Sequence, residues 1–296
     1  MELTEGLQLN TRLRLVRPLA RGGMATLWLA DHRTLGIQVV VKVLTPGSPR
    51  EATAMRRLSR EARLMARVAG PHVVRVLDCE EGTPGDEGDG FLVMELLQGE
   101  DLGGCLARRQ HLSLAETRTV VEHVSRALQV AHDVGVIHRD VKPENVFLAK
   151  TARGIVCKLV DFGVAKDATE GSLELTCANT LVGTASYMSP EQVVSSRDVD
   201  SRCDVWSLAV LAYACLTGRE PFEGASLGAL CVAIHAGRFD PPSRARPELS
   251  QAVDAFFAKA MGPDIGLRHQ SAEALCEAFR MAVSSCAPGQ APRRTA

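Results

Sequence analysis

Asp140, Lys142 and Asn145 sit together in the run Val136-Ile137-His138-Arg139-Asp140-Val141-Lys142-Pro143-Glu144-Asn145. Asp161-Phe162-Gly163 begins sixteen residues past Asn145, after the apolar stretch Val156 to Val160. Two carboxylates, an ammonium and an amide form a set that can hold a polyphosphate, its metal ions and an attacking hydroxyl. Asp140 can accept a hydrogen bond from an incoming hydroxyl and aim it at phosphorus, and Lys142 can neutralise charge on the transferring group. Asn145 and Asp161 supply hard oxygen ligands of the kind that suit Mg²⁺. Gly163 lets the chain turn sharply after Asp161. The chemistry expected is phosphoryl transfer. The bland alternative, a polar loop that happens to carry these residues, has to explain why two separated motifs agree and both sit at strand ends.

The elements that must position these groups change character along the chain. Leu13–Leu19, Thr26–Ala30 and Gln38–Leu44 read as short strands between Gly-rich turns. Ala52–Val68 reads as a helix stopped by Gly70-Pro71, and Val73–Cys79 and Phe91–Leu96 read as further strands. Past Gln98-Gly99 the period becomes helical over Leu102–Arg109, Leu114–His132, Arg202–Leu216, Leu227–His235, Leu249–Met261 and Ala272–Val283. Ser113 and Ser271 are placed as N-caps, the first with Glu116 in a capping box. The expectation is an α+β, bilobal fold over residues 12–284, with a small β-rich lobe at 12–97 and a larger helical lobe at 98–284. The cleft between them is the default active site, and residues 285–296 are expected to form a frayed tail.

Bulk properties narrow the class. The 296 residues are 46% hydrophobic with a formal net charge of -1. A sizeable core follows, and nothing in the charge balance suggests nucleic acid or a membrane surface. Nine scattered cysteines without a CxxC pair argue against a disulfide scaffold or zinc site and fit a reducing compartment. The N-terminus has no signal-peptide pattern, and the apolar helix at 205–216 is too short to span a bilayer. These features set the expectation of a cytoplasmic protein.

His138-Arg139-Asp140 with Lys142 and Asn145 resembles the catalytic loop of the protein-kinase superfamily. Asp161-Phe162-Gly163 resembles its magnesium motif, and Ser189-Pro190-Glu191 the end of its activation segment. The likeness is to bacterial serine/threonine kinases of eukaryotic type and covers roughly residues 12–284. It implies ATP as phosphoryl donor and Mg²⁺, with Mn²⁺ as a substitute. It makes Asp140 the base or hydroxyl-orienting residue, Asn145 the ligand of a second metal ion and Asp161 the ligand of the bridging ion. Lys42 lies in the apolar run Val39-Val40-Val41-Lys42-Val43-Leu44, where a buried ammonium needs a partner. Glu61 in the following helix can supply it while Lys42 binds the α and β phosphates, resembling the family's lysine–glutamate pair. A solvent-facing edge lysine is the alternative, and Glu51 is another carboxylate nearby.

The phosphate-covering loop departs from the family. Ala20-Arg21-Gly22-Gly23-Met24-Ala25 stands where G-x-G-x-x-G is expected, so Gly22 alone of the motif glycines survives, with Gly23 beside it. Stiffer closure and lowered activity or nucleotide affinity are expected. Val40 replaces the family's alanine, and its added methyls would crowd the adenine. By resemblance Phe147 covers the ring from below, Met94 is the gatekeeper, the backbone at Glu95 and Leu97 meets the adenine edge, and Asp101 reaches the ribose.

Thr184 resembles the threonine that contacts both Asp140 and Lys142, which favours serine or threonine acceptors. Arg139 can pair with a phosphorylated activation segment, and Thr169, Ser172, Thr176 and Thr180 are the candidate sites, Thr176 first. Asp204 resembles the aspartate that braces the catalytic loop, Glu191 and Arg268 a buried ion pair, and His138 a residue packed beneath Phe162. Partners implied are protein substrates, regulatory proteins and a second copy for autophosphorylation. The rival reading is a nucleotide-binding pseudokinase with little turnover, supported by the altered loop and Val40. Exposed polar residues form no diagnostic charge pocket for a substrate.

Overall fold

The computed structural model describes residues 3–22, 25–44, 67–80, 90–162, 185–194 and 199–286. Alternating apolar residues build the first sheet from β1 (Leu13–Arg21), β2 (Ala25–His32), β3 (Ile37–Leu44), β4 (Val76–Glu80) and β5 (Phe91–Glu95), in the order β1-β2-β3-β5-β4, every neighbouring pair antiparallel. The two-residue period sends Leu13, Leu15, Trp28, Val39, Val41 and Val93 into the small-lobe core. It turns Leu27, Val40 and Met94 to the opposite face, against the core of the large lobe. Lys42 shares the parity of Val40 and pairs with Leu27 and Leu92 on a central strand, so the edge-lysine alternative is excluded.

A second sheet, β6 (Gly99–Asp101), β7 (Val146–Thr151) and β8 (Gly154–Leu159), lies in the large lobe in the order β6-β7-β8. β6 has no apolar pattern of its own and forms only because β7 offers it a ladder. Gly99 adopts φ 146°, and a Cβ there would collide with the Leu148 carbonyl. The expected start of β4 at Val73 is instead an isolated parallel bridge to Leu159.

Among the described residues the helices are α1 (Leu102–Arg109), α2 (Leu114–Asp133), α3 (Pro190–Val194), α4 (Arg202–Thr217), α5 (Leu227–Ala236), α6 (Pro242–Ala245), α7 (Gln251–Ala260) and α8 (Ala272–Ser284), with a 3₁₀ turn at Pro143–Asn145. Ser113 makes the expected capping box with Glu116, and the Ser271 hydroxyl accepts from Ala274 N at 3.1 Å. The short α3, α6 and the 3₁₀ turn carry too few residues for a periodic signal and were not expected. Every residue of α4 from Cys203 to Leu216 is buried, as a helix apolar on all sides must be when it forms the centre of a lobe. Among the described residues no helix is long and apolar enough to cross a membrane. The architecture is bilobal α+β, as expected. Of the expected 52–68 helix only Arg67 and Val68 are described, and the tail beyond Cys286 lies outside the described residues.

Candidate active site

β7 and β8 form a hairpin whose two ends carry the reactive groups. The 3₁₀ turn with Asn145 precedes β7, and β8 runs through Val160 into Asp161, with Val160 N donating to Asn145 O at 2.9 Å. The Asn145 amide nitrogen donates to Asp140 O at 2.8 Å and to Asp140 Oδ2 at 3.0 Å, which leaves Oδ1 as its ligand atom. Lys142 Nζ lies 2.9 Å from the same Asp140 Oδ2. Lys42 reaches from the small lobe to Asp161 Oδ1 at 2.9 Å, its side chain 17% exposed against 42% for Asp161. The five predicted polar groups fall into two bonded sets, Lys42 with Asp161 and Asp140 with Lys142 and Asn145, which the backbone bond from Val160 to Asn145 holds side by side.

The loop is held from beneath. Asp204, with no exposed surface, accepts His138 N at 2.8 Å and Arg139 N at 2.7 Å, and its Oδ2 meets His132 Nε2 at 2.8 Å. Burial opposes the Asp204 charge, but His132, His138 and the loop amide outweigh it and hold the carboxyl below its usual range. Arg139 takes φ 64°, a left-handed conformation that costs a non-glycine residue free energy, and Gln192 Nε2 secures its carbonyl at 3.0 Å. Asp161 is likewise left-handed at φ 52°. His138 is fully buried, and burial lowers its pKa. Its Nδ1 accepts from Asp140 N and its Nε2 donates to Val160 O, both at 3.2 Å, so a neutral ring ties the two halves of the site together. Phe162 packs on that ring at a centroid distance of 4.7 Å.

On the small-lobe side Val40 pairs directly with Met94, which is buried, so the added valine methyls sit beside the gatekeeper position. Phe147 is half-buried on β7, opposite Asp101. Asp101 caps α1, with Oδ1 accepting Gly104 N at 2.8 Å, a role that sequence reasoning did not assign to it. Ala20 pairs with Leu27 on β1, and Gly22 N donates to Ala25 O at 2.9 Å to close the β1–β2 turn. Arg268 Nη1 bonds both Glu191 carboxylate oxygens at 3.1 Å and its guanidinium lies 4.5 Å over Trp206. Gly23, Glu61, Gly163, Thr169, Ser172, Thr176, Thr180 and Thr184 lie outside the described residues.

A cavity of about 500 Å³ opens on the other side of the catalytic loop, lined in part by Leu106, Gln110, Glu144, Tyr187 and Glu220. Burial, with Glu144 and Glu223 nearby, raises the Glu220 pKa against the opposing Ser186 hydrogen bond. No pocket of this charge was expected, because Glu144 and Glu220 are far apart in the chain and only the packing of α4 beside the loop brings them onto one cavity.

The donor set fits a hard cation. Asp161 and Asn145 offer carboxylate and amide oxygens, and among the described residues no three His, Cys, Asp or Glu side chains converge into an all-protein cage. Such a site suits Mg²⁺ held jointly with nucleotide phosphates.

Residues 13–279 match the protein kinase domain family. The chain is 36% identical over 293 residues to the serine/threonine-protein kinase pkn2 of Myxococcus xanthus, covering 96% of this chain and 34% of that protein. It is 35% identical over 290 residues to the serine/threonine-protein kinase PknA of Mycobacterium tuberculosis, covering 98% and 64%. The chain thus spans between about a third and two-thirds of the length of these relatives. Its fold superposes on the crystal structure of the M. tuberculosis PknI kinase domain with a TM-score of 0.73, at 27% identity and with 96% and 100% of the two chains covered. On that family match the chain belongs to the protein kinase family, and the relatives it is similar to are bacterial serine/threonine-protein kinases.

Proposed function

We propose that this domain transfers the γ-phosphoryl group of ATP to serine or threonine hydroxyls of proteins. The observation that carries this reading is that Lys42 of the small lobe pairs with Asp161 beside the bonded set of Asn145, Asp140 and Lys142 in the large lobe. Asp140 accepts the hydrogen bond of the incoming hydroxyl and orients its oxygen for in-line attack. As the bond from that oxygen to the γ-phosphorus forms, the bridge to the β-phosphate breaks, the hydroxyl proton passes to Asp140 and ADP departs. Lys142, already paired with Asp140, offsets charge on the transferring group. Lys42 holds the α and β phosphates. Asp161 and Asn145 are the residues that would hold Mg²⁺, which neutralises phosphate charge when bound. Thr184 would help to seat the acceptor. Met94, Val40, Phe147 and the backbone at Glu95 and Leu97 would enclose the adenine. Scattered cysteines without a CxxC pair accord with work in a reducing cytoplasm.

The test is incubation with γ-labelled ATP and Mg²⁺, alone and with a generic basic substrate, beside Asp140→Asn and Lys42→Met. Incorporation by the parent, lost in both folded variants, supports the reading, and phosphate mapping tests Thr176 and Thr180 and, from its dependence on protein concentration, transfer between two copies. A folded parent that binds ATP but incorporates no label with Mg²⁺ or Mn²⁺ would establish the pseudokinase instead.

A further inference from the structure

Lys158 lies on β8 three residues before Asp161, and its ammonium turns towards the small lobe. Nζ donates to Glu95 Oε1 at 2.7 Å and to Val73 O at 3.2 Å. The same Oε1 accepts Arg75 N at 2.8 Å, while Glu95 N donates to Arg75 O at 3.0 Å. The two side chains are 15% and 24% exposed, unlike the open surface pair Arg108–Glu100 at 61% and 38%. Charges so shielded attract through a lower dielectric, and every bond at the shared oxygen gains from it. The backbone runs the same connection in parallel, with Val74 N donating to Leu159 O at 3.0 Å and Leu159 N to His72 O at 2.8 Å.

Glu95 ends β5 at the crossing between the lobes, and Lys158 stands on β8 just ahead of the site aspartate. One ligand would have to meet both places, with its base at residues 95–97 and its phosphates near Asp161. We propose that Lys158 is a positioning residue, and that its pair with Glu95 is a latch setting the spacing between the adenine-contact backbone and Asp161. Lys42–Asp161 joins the lobes at the phosphate end of the cleft, and Lys158–Glu95 joins them at the base end. With the latch broken, the base and phosphate contacts are no longer in register, and nucleotide binds less tightly. This inference rests on the nucleotide cleft proposed above.

The experiment measures ATP affinity by calorimetry and the KM and kcat of label transfer in Lys158→Met, Glu95→Gln, their combination, and Lys158→Arg. A pair of this kind couples by about fivefold in binding. ATP affinity is expected to weaken about fivefold in each single variant, with no further loss in the combination, while kcat falls less than KM rises and Lys158→Arg restores binding. Affinity within twofold of the parent in folded Lys158→Met, or in folded Glu95→Gln where Lys158→Met does not fold, overturns the latch. So do additive losses in the combination, or a fall confined to kcat. A parent that binds ATP without transferring phosphate refutes the kinase reading alone, since the affinity series still judges the latch. A parent that binds no nucleotide overturns both.

Discussion

Asp204→Asn isolates the support of the catalytic loop from its chemistry, since Asp204 touches no reacting atom. Its carboxylate satisfies two adjacent backbone donors, His138 N at 2.8 Å and Arg139 N at 2.7 Å, from a position without exposed surface. Asparagine offers one oxygen and turns an N–H₂ group towards the second donor. One charge-assisted bond becomes neutral and one loop N–H is left facing another donor, each change worth about 1–3 kcal/mol. The expected loss of stability is about 2–6 kcal/mol, read by urea unfolding. The left-handed turn at Arg139, φ 64°, costs roughly 1–3 kcal/mol and persists only while its flanking amides are held. Released, it shifts Asp140, and a displacement near 1 Å reduces turnover about 100-fold. ATP binding should change little, because Lys42 and Asp161 are held elsewhere. A folded Asp204→Asn protein with kcat within threefold of the parent would refute the reasoning.

Three further outcomes are expected. Arg268 is almost wholly buried, where burial lowers its pKa and Glu191 opposes the shift, so Arg268→Met strands a carboxylate and should cost about 3–5 kcal/mol in urea unfolding. Replacing both Glu191 and Arg268 by methionine should cost less than the sum of the two single changes, and simple additivity would deny the pair. Val40→Ala removes methyls beside Met94 and should tighten ATP binding by about 1 kcal/mol, roughly fivefold, in a calorimetric titration. His72 and His123 stack at 4.1 Å, and burial lowers both, His123 to about 4 from an ordinary 6.5. Because the folded state holds these rings neutral while the unfolded chain protonates near 6.5, their stabilisation is complete above pH 6.5 and is lost as pH falls towards 4. Urea midpoints should drop between pH 6.5 and 5 in the parent and drop less in folded His123→Gln.

Much of the site was legible in the chain because its groups are neighbours there. Asp140, Lys142 and Asn145 share one short loop, and their spacing alone sets them within reach of one another. The long helices were equally readable, since the 3.6-residue period and the Ser113 and Ser271 caps act locally. Resemblance supplied roles for Asp204, Glu191 and Arg268 that their own residue types did not. The three-residue β6 was not legible, because it exists through its partner strand rather than through any pattern of its own. Nor, where resemblance did not supply them as it did for Glu191 and Arg268, were the contacts that join distant segments. Lys42 meets Asp161 across 119 residues, and Lys158 meets Glu95 across 63. A side chain's type and local spacing determine which chemistry it can perform. Its partner is decided by how sheets and helices bury their apolar faces, and that packing exists only in the folded chain.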